Sequence, residues 1–240
     1  MGLFDKKFCD ICGNKIAFLG NRKLEDGNLC KDCASKLSPW FSERRRSTVN
    51  DIREQLAYRE ENKEKVAAFH VTRTLGMNTK VLLDEDNGKF MVTGARNIQE
   101  ANPDVLDFAD VTGCNVDIDE HKTEIKRKGP DGKDISFVPP RYTYSYDFYV
   151  VINVNNPWFD QIRFQLNPSR VDGQSRRDYT QYQNMGEEIR TALIEVRREV
   201  RENIAAAAAP KTAVTCPWCG ATTIPDANGC CEYCGGAVNH

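Results

Sequence analysis

Eight of the ten cysteines fall into C-x-x-C pairs: Cys9 with Cys12, Cys30 with Cys33, Cys216 with Cys219, and Cys231 with Cys234. A thiolate is a soft anionic donor, and a tetrahedral Zn2+ accepts four of them at about 2.3 Å each. Two intervening residues let a tight turn aim both sulfurs of a pair at one point. Seventeen residues separate Cys12 from Cys30, inside the spacing expected of a two-pair zinc site. The last two pairs, about a dozen residues apart, repeat the arrangement near the other end. The expected chemistry is therefore ligation of two structural Zn2+ per chain, one by Cys9, Cys12, Cys30 and Cys33, the other by Cys216, Cys219, Cys231 and Cys234. A catalytic zinc keeps one position open, usually with His or carboxylate ligands, and four paired thiolates leave none. A redox role for C-x-x-C needs a βαβ setting, which the flanking sequence does not offer. Two alternatives attach to the second site. Cys230 adjoins Cys231, although only Cys231 gives the two-residue spacing to Cys234, and His240 could replace a ligand.

The residues around each site must position it. Gly13 follows the first pair where a left-handed residue is useful, and Asp26-Gly27 marks a hairpin turn within the gap. Ile16, Phe18, Leu19, Leu24 and Leu29 are placed to pack around the metal. A short helix is expected from Cys33 to Leu37, stopping before Pro39. A knuckle, a hairpin and a helix carrying the last ligands resemble a treble-clef zinc finger. The string KLEDGNLCKDCASKLS after CDICG also resembles the N-terminal module of an uncharacterised bacterial family, in which such a module precedes a β-rich domain. That resemblance implies a zinc site and no activity. CPWCGATTIPDANGCCEYCGG is similar to zinc ribbons often fused to bacterial proteins. Trp218 and Tyr233 occupy its knuckles and are expected at the surface. The scarcity of cations there, with Lys211 the nearest, favours a protein contact over base stacking.

Between the metal sites the periodicity changes twice. Ser47 or Thr48 can N-cap a helix from about Val49 to Ala68, with Asp51 in its first turn. Val49, Ile52 and Leu56 give it a narrow apolar edge, and the charged run from Arg59 to Lys65 makes it a connecting helix. Arg44-Arg45-Arg46, just before it, reads as a solvated face. From Phe69 to Leu166 the period falls to two. Val81 and Leu83, then Phe90 and Val92, flank DEDNG as a hairpin. Cys114, Val116 and Ile118 alternate up to a turn expected at Asp119-Glu120-His121, and Pro130-Asp131-Gly132 gives another turn. Tyr142, Tyr144, Tyr146, Phe148, Val150, Ile152 and Val154 share one strand face, which places the tyrosines in or beside the core. Ile162, Phe164 and Leu166 return. A helix from about Arg177 to Ile204 closes the domain, with Tyr179, Tyr182, Met185, Ile189, Leu193, Val196 and Val200 on one stripe. The order of elements resembles a pleckstrin-homology-like domain, which implies a binding scaffold and carries no ligand residue with it.

The fold class expected is α+β: a zinc module at 1–45, a connecting helix at 46–68, a β barrel or half-barrel capped by a long helix at 69–204, a linker at 205–214 and a zinc ribbon at 215–240. The carboxylates of Asp84, Glu85 and Asp86, and of Asp117, Asp119 and Glu120, fall in predicted turns, where they serve solubility and local hydrogen bonding rather than acid–base chemistry. Cys114 reads as a buried small side chain, and His70 and His121 show no partner. A formal charge of −2 argues against a broad electrostatic grip on nucleic acid. Reduced C-x-x-C pairs, the lack of an apolar leader and the lack of a run of roughly 18 apolar residues place the chain in the cytoplasm. Lys6 breaks the N-myristoylation pattern begun by Met1-Gly2. The function expected is a non-catalytic zinc-binding adaptor with a protein partner. The alternatives are a nucleic-acid-binding zinc-ribbon protein, discriminated by salt-dependent retention, and a lipid-binding module that uses the basic stretch Lys122 to Lys128.

Overall fold

The computed structural model describes residues 7–208, 213–226 and 229–238, with the backbone alone for 199–201 and 203–208. It is a mixed α+β structure in two compact units, Met1–Arg198 and Glu199–His240.

The first unit opens with a bridge between Phe8 and Lys15 and the hairpin β1 (Arg22–Lys23) and β2 (Asn28–Leu29). Helix α1 (Lys31–Ala34) follows. It begins two residues before the expected Cys33, because Cys30 is its N-cap and the Cys30 sulfur accepts the Cys33 N–H at 3.3 Å. That bond satisfies one of the orphan donors of a helix start. Ile16, Leu24 and Leu29 are buried with Leu37 around the cysteines. Phe18 and Leu19, expected to join them, are exposed instead. Their turn, closed by the Gly20 N–H on the Ala17 carbonyl, carries them away from the cluster.

After a 3-10 turn at Glu43–Arg46 comes α2 (Val49–Ala68), with the expected bounds. Thr48 and Asp51 form a capping box: the Thr48 hydroxyl accepts the Asp51 N–H at 3.2 Å, and the Asp51 carboxylate accepts the Thr48 N–H at 2.8 Å. The narrow apolar edge needs correction. The buried residues are Ile52, Gln55, Arg59, Asn62 and Val66, a continuous stripe at helical spacing whose middle is polar. Val49, Ile52 and Leu56 pack into the cysteine cluster, whereas Val66 packs with Leu82, Met91 and Val105.

Those last three lie on a meander: β3 (Arg73–Gly76), β4 (Lys80–Asp84), β5 (Lys89–Thr93), the short helix α3 (Ile98–Ala101) and β6 (Val105–Asp107). The four strands pair antiparallel in chain order. Both faces of its centre are covered, since Val81, Leu83, Phe90 and Val92 are buried as well as Leu82 and Met91. A second sheet is built on β7 (Val111–Lys128) and β8 (Asp134–Val154), joined by the turn at Gly129–Lys133. Strands β9 (Gln161–Gln165) and β10 (Val171–Asp172) pair with the opposite edge of β8. Among the described residues no strand joins the two sheets, so the expected barrel does not close. The turn expected at Asp119-Glu120-His121 is also absent. β7 runs straight through it, with Asp119 opposite Asp147 and His121 opposite Ser145.

Among the described residues no third strand pairs with the β7–β8 ribbon beyond Ser145. Tyr142 and Tyr144 are exposed there, with the Lys122 ammonium 4.0 Å from the centre of the Tyr142 ring, so they are not core residues. Tyr146 lies nearer the core and meets Tyr179 edge-on. Tyr179 belongs to α4 (Arg176–Ala208), longer by a few residues than expected. Ile189 and Leu193 are buried on its apolar stripe, and Tyr179, Tyr182, Met185 and Val196 are half-buried. The side chain of Val200 lies outside the described residues. Gly186 lets the helix approach the sheet: a Cβ there would stand 2.9 Å from both γ carbons of Val116. The second unit holds the end of α4 and a hairpin of β11 (Val214–Thr215) and β12 (Thr222–Thr223).

Candidate metal centres

The sulfurs of Cys9, Cys12, Cys30 and Cys33 lie within 4.8 Å of one another, and so do those of Cys216, Cys219, Cys231 and Cys234. No two of the ten cysteines are bridged. Tetrahedral ligation at about 2.3 Å requires sulfurs about 3.8 Å apart. The Cys12–Cys30 separation is 3.8 Å, Cys216–Cys234 is 3.6 Å and Cys219–Cys231 is 3.7 Å. A disulfide would bring them to about 2.05 Å. The donor set and its spacing therefore fit a thiophilic tetrahedral ion such as Zn2+.

Three of the four pairs are built alike. The Cys9 N–H donates to the Asn14 carbonyl and the Gly13 N–H to the Cys9 carbonyl. Cys216 and Gly220 repeat this with Ala221, and Cys231 and Gly235 with Gly236. Each loop closes through a glycine of positive φ, at 73°, 72° and 70° for Gly13, Gly220 and Gly235. A side chain with a Cβ is disfavoured there, so C-x-x-C-G is the sequence mark of the knuckle. The fourth pair, Cys30 and Cys33, lacks this glycine and sits instead at the start of α1. Cys230 is left out of the second sulfur group. Its N–H donates to the Asp226 carboxylate at 2.8 Å, and its strand-like bridge is to Ala237. His240 lies outside the described residues.

The backbone prepares some of these thiols for a cation. Burial pushes Cys9 up, but N–H donors from Cys12, Cys30 and Ile11 outweigh it and bring the thiol down to about 6. Cys231 behaves likewise, with burial outweighed by the N–H groups of Cys234 and Tyr233, and also settles at about 6. Cys33 moves the other way, raised by burial and then by the sulfurs of Cys30 and Cys12. For Cys234 the Gly236 N–H draws downward, and the sulfurs of Cys216 and Cys219 push it up to about 12. In each unloaded centre one thiol thus gives up its proton readily while a neighbour holds its own. Loading must expel that proton, so affinity should fall as pH falls. Calorimetric titration with Zn2+ in buffers of different ionisation enthalpy should show proton release at pH 7. An affinity unchanged between about pH 6 and 8 would contradict this.

The other residues of chemical interest are dispersed. Cys114 is buried, and burial pushes its thiol up to about 12, as suits an inert small side chain. His121 does have a partner, the Asp147 carboxylate at 2.9 Å, and His70 lies 3.3 Å from Asp86. Asp84 is buried and accepts the N–H of His70 and of Asn87, so it organises the β4–β5 turn. Asp117, Asp119 and Glu120 lie within β7 rather than in a turn, with Asp119 paired to Arg163 at 3.1 Å and Glu120 accepting the Tyr146 hydroxyl. On the second centre Trp218 and Tyr233 are 75% and 71% exposed.

Sequence reasoning missed a buried polar junction between α2 and the residues leading into β6. Arg59 donates to Asp104 at 2.8 Å, to the Asn102 carbonyl, and to the Lys36 carbonyl at 3.3 Å. Ser38 donates to the other Asp104 oxygen at 2.7 Å. Asn62 donates to Asn102 and Pro103 and accepts the Val105 N–H. The signal was present: Gln55, Arg59 and Asn62 carry the Ile52 stripe on to Val66 at steps of three and four.

No curated protein and no solved structure matches this chain. Residues 7–55, which hold the first centre and the opening turns of α2, are similar to the family described as a domain of unknown function (DUF4428).

Proposed function

We propose that the chain is a non-catalytic interaction protein whose small ends are held in shape by two structural zinc ions. The observation that carries this reading is the filling of each coordination sphere by four converging cysteine sulfurs. Such a site leaves no vacant position at which a substrate could be polarised or a water activated. The partner we favour is a protein. Trp218 and Tyr233 present exposed aromatic surface on the second centre, and residues 213–238 contain no Lys or Arg to hold phosphates. A reducing compartment such as the cytoplasm suits eight ligand thiols. The pleckstrin-homology-like description finds support in the succession of antiparallel strands and a final amphipathic helix, while two unjoined sheets weigh against it.

Elemental analysis of protein purified under reducing conditions is the direct test. Two equivalents of zinc per chain are expected. One equivalent or fewer, with cysteines recovered as disulfides, would refute the reading. Salt-dependent retention on DNA or RNA would instead favour the nucleic-acid alternative.

A further inference from the structure

The first metal module carries two features that neither ligation nor packing explains. One is a cleft of about 670 Å3 lined by Arg22, Lys23, Arg44 and Arg45, with Glu25 the carboxylate on its wall. Like charges repel when crowded, and here they are crowded without matching carboxylates. Arg44 is half-buried, and its guanidinium reaches the Lys23 carbonyl only at 3.5 Å. Burial first, then Arg22 and Arg45 beside it, hold Arg44 below the ordinary arginine range. A folded protein that sustains such crowding is relieved by an anion.

The second feature is the turn just before the cleft. Phe18 and Leu19 stand 77% and 84% exposed at its tip. Only Gly20 and Asn21 separate Leu19 from Arg22, so three peptide steps keep the tip within about 11 Å of the cleft along the backbone. An apolar tip beside a basic cleft is the combination that peripheral proteins use at membranes, where apolar side chains enter the headgroup boundary and cations meet anionic lipid. A nucleic-acid strand would use the cations and leave Leu19 idle.

We infer that the first module docks on an anionic phospholipid surface, with Phe18 and Leu19 in the interface and lipid phosphate in the cleft formed by Arg22, Lys23, Arg44 and Arg45. This rests on the reading of the module as a metal-held binding surface and names what that surface meets. Neither feature involves the β7–β8 ribbon.

Full-length protein carrying two equivalents of zinc should float with phosphatidylcholine vesicles containing about 30% phosphatidylserine and should not float with phosphatidylcholine alone. Phe18→Ser with Leu19→Ser, and separately Lys23→Glu with Arg45→Glu, should each weaken binding at least about tenfold. All four positions are exposed, so zinc content and circular dichroism should stay at the parent values. Salt at about 0.5 M should weaken the parent strongly. Absence of binding by the zinc-loaded parent would overturn the inference and leave the proposed function standing, because zinc content is read in the same sample. A Phe18/Leu19 variant that binds vesicles as tightly as the parent would overturn it too. So would single-stranded oligonucleotide binding tighter than vesicle binding and lost only in the charge variant, which would identify a nucleic-acid strand as the ligand.

Discussion

Asp104→Ala is expected to destabilise the first unit by about 3–5 kcal/mol, the usual effect of removing one partner of a buried ion pair. Both side chains are withdrawn from water, at 7% exposure for Arg59 and 0% for Asp104. The substitution strands the Arg59 guanidinium and the Ser38 hydroxyl, each of which now donates to Asp104. The remaining carbonyl acceptors, Lys36 and Asn102, cannot neutralise a buried cation. Replacing both partners, as in Arg59→Met with Asp104→Leu, should recover most of the loss, since a well-packed apolar pair avoids desolvating two charges. Urea unfolding of the three proteins checks both statements. An Asp104→Ala unfolding free energy within about 1 kcal/mol of the parent would show that the pair is not closed in solution.

Cys12→Ser should remove one zinc and unfold the first module. Structural zinc contributes about 10–16 kcal/mol in isolated finger peptides, against a total of about 5–15 kcal/mol for a typical domain. From the sequence alone, the rest of the first unit would be expected to melt as before. The packing predicts otherwise. Val49, Ile52 and Leu56 belong to the cysteine cluster, and Val66 on the same helix belongs to the β-sheet core. Arg59 ties the Lys36 carbonyl to Asp104 midway. Loss of the metal therefore removes one end of a shared support. The calorimetric transition of the first unit should move to lower temperature as a whole, while the second centre keeps its zinc. An unchanged main transition with one zinc lost would mean that α2 stays docked without its module.

Much of this architecture could be read in the residues. The cysteine spacing located both sulfur clusters, because metal geometry tolerates little variation. The Thr48 cap and the Val49–Ala68 bounds were legible because capping chemistry is local. The DEDNG and PDG turns were legible for the same reason. What escaped were features fixed by distant partners. Arg59 and Asn62 read as solvated because their acceptors at 102–104 lie some forty residues away. Asp119-Glu120-His121 reads as a turn because polar residues cluster there, yet Asp119 is held by Arg163 on β9 across the sheet, His121 by Asp147 on β8 and Glu120 by the tyrosine opposite it. Barrel closure depends on how strands associate, whereas alternation along one strand says only which face is apolar. Phe18 and Leu19 read as inward-facing on residue type alone, although the tight turn that carries them outward is local.

The meander has a consequence for how the chain is made. Every pairing in the first sheet joins strands consecutive in sequence, so each closes a short loop at small entropic expense. The long-range step is the return of residues 102–104 to α2. During synthesis from the N-terminus, the metal-holding segment and α2 emerge before the strands and can wait as a template. The nascent strands then need only zip to their neighbours before docking on it, an order that keeps their edges briefly exposed and limits contact with other unfinished chains.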